Sequence, residues 1–278
     1  MATQSLSAPL MVRLTAQREL VEADLQGQDL SAFDLYRVNL QGANLQNAIL
    51  NQGHLIGVNC THAQLQNAQL QNADLRGVSF VGADLSGANL TRAYLFRADL
   101  RGANLTNATL TDAKLEVALY DELTRWPEGF APTRSGAIGP EAVLHGAFLN
   151  TADLRKVNLS GAKLLGAYLS GADLTQANLS EVSLSSANVQ RAFLTGASLR
   201  NARLSGAELQ NTDLRAADLT GVDLSAVASI AGADFSMVYG LAPDQRAKLL
   251  GRSAAELDVW NPLTRNTTRR SLEVASES

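Results

Sequence analysis

The chain is short of most things that carry chemistry. It has one cysteine, Cys60, so an intramolecular disulfide is excluded. It has three histidines, His54, His62 and His145, too few and too scattered for a metal-binding motif. No run approaches the ~20 apolar residues of a membrane span, and no basic start followed by an apolar core marks a signal peptide; cytoplasm is the default expectation. Aromatic residues make up 5% of the 278, which excludes a core built on stacked rings. Charge is nearly balanced, at a formal −4. A general nucleic-acid binder would show a basic stripe, so direct nucleic-acid binding is not expected. There is no phosphate-cradling glycine motif, and no carboxylate pair is set apart from its neighbours as acid–base work requires. We expect no enzyme, no cofactor and no metal.

What the chain has in abundance is a five-residue unit, Ala-(Asp/Asn)-Leu-(Ser/Thr/X)-(Gly/X). The stretch Ala83-Asp84-Leu85-Ser86-Gly87-Ala88-Asn89-Leu90-Thr91-Arg92 is two copies of it. From Leu25 to Leu115 there are nineteen centres at a step of five, all Leu except Cys60 and Phe80. From Leu144 to Leu224 there are seventeen more, all Leu except Val189. Two residues before each centre stands Ala or another small or apolar residue, with Gln28 and Thr212 as polar exceptions.

A helix cannot use this spacing, because five residues at ~100° advance the leucine by about 140° and scatter it around the cylinder. Nor can a strand, because an odd period sends successive leucines to opposite faces of the pleat. The pattern works if the chain turns a corner at every unit, so that four corners close a coil of twenty. Val38, Val58 and Val78 repeat at twenty, Gly53 follows Phe33 at twenty, and Leu40, Cys60 and Phe80 share one centre column. Large beside small is what close packing of stacked coils demands. Cys60, replacing a centre leucine, reads as a buried small hydrophobe rather than a nucleophile.

These quintets resemble the pentapeptide-repeat family, over about residues 20–120 and 140–237 and in the manner of its cyanobacterial members. The resemblance implies an all-β fold, a right-handed quadrilateral β-helix with, by our reading of the flanks, short helical caps at the termini. About nine coils at the ~4.8 Å strand spacing would give a rod ~40–45 Å long.

Around the repeats we read residues 1–19 as an N-terminal tail and cap, disordered over 1–9 and with a short helix near Thr15–Glu19. The first repeat block is 20–120 and an inserted loop is 121–141. The second block is 142–238, with one extra residue near Ser225–Ser229. A helical cap covers 239–260, with Pro243–Gly251 as a helix and a second one at Ser253–Val259. A disordered tail completes the chain over 261–278. In the loop, Trp126 and Phe130 either pack it against the coils or belong to a functional loop, since long loops in compact folds are often functional.

The residue before the centre is Asp or Asn in many units, points outward and reads as a turn-stabilising residue. What remains for function is surface. Stacked by twenty, one face of the first block gives Tyr36, Ile56, Arg76, Phe96 and Glu116 after the centre, and Asp34, His54, Asp74, Tyr94 and Lys114 before it, flanked by Arg37 and Arg97. Tyr, Phe and Arg are enriched in interface cores. Tyr36, Ile56, Arg76, Tyr94, Phe96 and Trp126 are therefore the candidate partner-binding residues. Phe148 and Tyr168 form a smaller pair in the second block.

Two functions compete. The first is a non-enzymatic scaffold that shows side chains to a protein partner the sequence does not name, as a monomer or an end-to-end dimer. The second is implied by the resemblance: some family members imitate DNA and inhibit or protect DNA gyrase. Glu208, Asp213, Asp218, Asp223 and Asp234 are the acidic tract such a mimic would use, diluted by Lys163, Arg191, Arg200, Arg203 and Arg215.

Overall fold

Each quintet makes the same local structure, and the residue types account for it. The centre's carbonyl accepts a hydrogen bond from the N–H three residues on, as in Ala48 N–H to Leu45 O at 3.0 Å. The third residue of the turn takes φ near +60°, at glycines such as Gly87 (69°) and at Asn47 (58°) and Arg37 (54°). That is the left-handed position of a type II turn, which Gly and Asn fill at least cost. The exception in the first block is Leu30–Phe33, where Ala32 has no positive φ and the small site holds a half-buried Phe33.

The computed structural model describes residues 7–273. It divides into two compact units, Met1–Ile138 and Gly139–Ser278. Within each unit, quintets twenty apart pair through single parallel bridges at the residue before the centre, as in Asn44↔Gln64↔Asp84↔Asn104. Centre N–H groups donate to the next coil, Leu45 to Gln64 O at 2.7 Å, and the preceding residue donates to the coil before, Gln64 to Ala43 O at 2.9 Å. The pairing thus runs one residue at a time per face. Regular strands in the described chain are confined to β1 (Trp260–Asn261) and β2 (Asn266–Thr267). The centre leucines and the small residues fill the interior, and Phe80 and Cys60 lie fully buried in one column. Burial pushes the Cys60 thiol up to about 12, which leaves it an inert packing group.

Three segments differ from the sequence expectation. At the start, the helix comes earlier than Thr15–Glu19: α1 spans Ala8–Val12 and one π-helical turn continues over Arg13–Gln17, ended by Arg18 at φ 56°. The expected disorder over 1–9 is replaced by structure from Ala8 onward; residues 1–6 lie outside the described residues. Pro9 suits the first turn of a helix, and the buried Leu14 holds the turn to the core.

The second difference is the inserted segment. Arg125 bridges Asn104 at a separation of 21, and Ile138 bridges Leu119 at 19. The segment therefore lays partial coil structure rather than leaving the coils. Asp121 Oδ1 fastens its start by accepting from Gly102 N–H (2.8 Å), Leu123 N–H and Thr124 N–H (3.1 Å each).

The third is the C-terminal segment, read from composition as disordered over 261–278. Up to Glu273 it is a folded cap: α2 (Pro243–Leu250) and α3 (Ala254–Leu257) are followed by the β1–β2 hairpin and α4 (Thr268–Glu273). The last five residues lie outside the described residues. The physical reason is the edge of the last coil, whose backbone groups have no further coil to pair with. The cap's side chains replace it. Glu256 Oε1 accepts from Ile230 N–H (2.6 Å) and Ser271 Oγ from Phe235 N–H (3.0 Å). Thr268 Oγ1 donates to Ile230 O (2.9 Å), and Arg252 donates to Val227 O (2.6 Å). Leu249, Leu257 and Leu272 are buried beneath. The extra residue of the second block falls between Asp223 and Ala226. Arg203↔Asp223 is the last bridge at twenty there, and Glu208↔Ser229 the first at 21.

Candidate functional site

The bridges Asp34↔His54↔Asp74↔Tyr94↔Lys114 form an unbroken column on the first unit. This register sets Tyr36, Ile56, Arg76 and Phe96 in a second row and Arg37, Gly57, Gly77 and Arg97 in a third. We call the three rows the Asp34 face. Tyr36 (45% exposed) and Tyr94 (46%) stand in solvent, while Ile56 and Phe96 are half-buried. The Arg37 guanidinium lies 5.2 Å from the centre of the Tyr36 ring, a cation–π contact.

The carboxylates of this face are paired. Arg76 forms a two-pronged pair with Asp74 (2.8 and 2.7 Å), and Arg18 reaches Asp34 (2.7 Å). Those hydrogen bonds hold both carboxyls below their ordinary range. Arg37, Arg97 and Lys114, by contrast, have no ion pair among the described residues. The face thus presents aromatic rings beside uncompensated positive charge.

Trp126 does not join it. The Asn104↔Arg125 bridge puts the next residue, Trp126, in the column of Leu45, Leu65, Leu85 and Leu105. There it packs half-buried on the core, edge-on to Tyr120 (5.7 Å) and stacked on Phe130 (5.0 Å). Of the two readings of the loop aromatics, packing is what the structure shows. Counting 21 rather than twenty from Leu105 would have revealed it.

The acidic tract does not form a surface either. Glu208, Asp213, Asp218 and Asp223 belong to four different bridge columns of the second unit, one per side. Only Asp213 and Asp234 share a column, with Asp153, Asp173 and Phe193; we call this the Asp153 face. Its acids are engaged. Arg155 pairs with Asp153 (2.6 Å) and lies 3.6 Å from Asp173, and Arg215 pairs with Asp213 (2.8 Å). Burial pushes the Asp213 carboxyl up, but hydrogen bonds from Arg215 and Thr195 outweigh it and leave it lowered. The same unit carries the stacked pair Phe148 and Tyr168, at 5.0 Å and 3°.

Among the described residues no three His, Cys, Asp or Glu converge as a metal site would need, and no helix is long and apolar enough to cross a membrane. A depression of about 820 Å³ lies on the first unit over Gly82 and Gly102, between His62 and Asp121. Of its charged lining residues, Arg101 is tied to Asp99 and Asp121 is held by backbone N–H groups.

A family described as Pentapeptide repeats matches the chain in eight copies, which together cover residues 19–116 and 141–237. The chain belongs to the pentapeptide-repeat family. Membership implies a right-handed quadrilateral β-helix, and pentapeptide-repeat proteins are in general structural or interaction proteins rather than enzymes. Among solved structures, the chain is similar to HetL, a pentapeptide-repeat protein involved in heterocyst differentiation regulation in the cyanobacterium Nostoc sp. strain PCC 7120. The two are 28% identical over 87% of this chain and 99% of that one, with a TM-score of 0.35. It is 35% identical to alr5209, a pentapeptide-repeat protein of Nostoc PCC 7120, over 49% of this chain and 98% of that one, with a TM-score of 0.33. QnrB1, a plasmid-mediated fluoroquinolone resistance protein, is 18% identical over 74% and 88%, with a TM-score of 0.38. No curated protein matches the chain.

Proposed function

We propose that this pentapeptide-repeat protein is a non-enzymatic scaffold whose right-handed β-helical coils hold the Asp34 face rigid for a protein partner. One observation carries the reading: Tyr36, Tyr94, Phe96 and Arg76 stand in register on one side of the first unit, beside Arg37 and Arg97, which have no ion pair among the described residues. Rigid aromatic and arginine side chains bind at low entropic cost because little freedom is lost on contact. The sealed edge of the last coil supports a chain that does not pair with a second copy through that edge.

The test compares affinity capture by the wild type, by an Arg76→Glu/Phe96→Ala variant and by a Lys156→Glu control on the second unit. The scaffold reading expects one set of captured proteins to vanish with the first variant and persist with the control. Capture unchanged by Arg76→Glu/Phe96→Ala discards the face. The gyrase-directed DNA mimic is the second arm of the same experiment. The carboxylates of the second unit are dispersed over four sides and in part paired with arginines, which gives it no sustained acidic surface, and inhibition of gyrase supercoiling at micromolar protein would restore it.

A further inference from the structure

The corner row of the Asp34 face runs Arg37, Gly57, Gly77, Arg97, all at φ between 54° and 67°. The Arg37 side chain leans over Gly57, its Cγ only 3.2 Å from where a Cβ would stand. Over Gly77 there is open space: apart from its chain neighbours Arg76 and Val78, no residue comes within 4 Å of such a Cβ. Two arginine corners, without ion pairs among the described residues, therefore flank a dent, their backbones three coils apart, or about 14 Å at the strand-pairing distance. An extended chain advances about 3.3 Å per residue and shows alternate side chains to one side. Side chains four residues apart on such a chain point the same way, about 13 Å apart, and the one between them faces the dent.

Resting on the reading of this face as a partner surface, we propose that its ligand is an extended protein segment carrying two carboxylates four residues apart with an aromatic or large apolar side chain midway. The carboxylates meet Arg37 and Arg97, and the middle side chain settles over Gly77 between Arg76 and Phe96. Charge complementarity selects an acidic partner, since of the acids on this face only Glu116 lacks an ion pair among the described residues. The chain's own −4 disfavours a polyanion such as nucleic acid more than a segment with two carboxylates.

The probe is a fluorescein-labelled peptide with the core Glu-Ser-Tyr-Ser-Glu, titrated with the full chain at low salt and followed by anisotropy. Arg37→Glu/Arg97→Glu is expected to weaken binding tenfold or more. Glutamate already occupies the same backbone conformation at Glu22 (φ 54°) and Glu141 (φ 59°), so the double variant should fold, and an unchanged circular dichroism spectrum checks this. Moving the glutamates to two residues apart should weaken the peptide severalfold, and Lys156→Glu should leave it unchanged. Equal binding of both spacings, or no loss in the arginine double variant, overturns the proposal. So does tighter binding of a single-stranded oligonucleotide that displaces the peptide. If the peptide does not bind while Arg76→Glu/Phe96→Ala still abolishes capture, the ligand class is wrong and the partner face stands.

Discussion

The Asp34 face of the first unit and the Asp153 face of the second are made from the same quintet, with the same bridges and the same buried leucines. They differ in how their charges are spent. On the Asp153 face the arginines are consumed internally, Arg155 by Asp153 and Asp173, Arg215 by a nearly buried Asp213. On the Asp34 face Arg76 and Arg18 neutralise the aspartates, and a surplus of cations remains beside exposed tyrosines. Composition sees five acids close together in the second block and none of this, because four of them fall on four different sides of the coil and two, Asp213 and Asp218, are already paired with arginines. The lesson is that in a twenty-residue coil, neighbours along the chain are on different sides, and neighbours in space are twenty apart.

If the two faces differ only at the surface, their cores must respond alike. Leu75→Ala beneath the first and Leu214→Ala beneath the second, both essentially unexposed, should each cost about 2–5 kcal/mol, the range for leucine deletions in close-packed interiors. Thermal or urea unfolding followed by circular dichroism measures it. A large cost at one site with none at the other would mean that the faces differ in their packing as well. The ion pairs should separate the faces more sharply. Asp213→Asn leaves Arg215 beside a buried amide and should cost about 1–3 kcal/mol. Asp74→Asn, whose partner Arg76 is 55% exposed, should cost under about 1 kcal/mol. Equal costs in the same unfolding experiment would erase the distinction between structural and available charge.

Much of this was readable in the sequence and some was not, for identifiable reasons. The step of five is a strong signal because a buried leucine and a tight corner recur in every unit, and the corner column Arg37 to Arg97 follows from counting alone. Trp126 was misplaced because the coil there runs 21 residues. The cap was missed because its decisive atoms are polar. Glu256, Thr268 and Ser271 act on backbone groups of residues 26 to 38 positions away, and a stretch rich in Arg, Thr and Ser looks like solvated tail until the unpaired edge it covers is known. The acidic tract is contiguous only along the chain, since each step of five carries the next acid to another side of the coil.

Two smaller effects sharpen the comparison at the corners. Val117, on the Asp34 face, holds φ 63°, and Lys156, on the Asp153 face, holds 59°. The left-handed region is costlier for a β-branched side chain than for a linear one. Val117→Asn should therefore stabilise by about 0.5–1 kcal/mol, while Lys156→Asn should change little. Matching shifts in melting temperature would show that side-chain shape at these corners is irrelevant.

Acid should act on the Asp153 face through Asp153, whose carboxyl the hydrogen bond from Arg155 depresses to about 2. Because its folded value lies below the ordinary aspartate value, the pair's contribution is complete above about pH 4. It is lost as the pH falls through about 2, and only below that value do folded and unfolded chains carry the same proton. Both partners are more than half exposed, so solvent and salt screen the pair and the effect is the smallest of the set. Urea midpoints of the wild type and of Asp153→Asn should differ slightly at pH 5, converge as the pH falls through about 2, and converge at pH 5 as well in 0.5 M salt. A gap that widens as the pH falls would show that the Asp153–Arg155 pair is not what holds that carboxyl down.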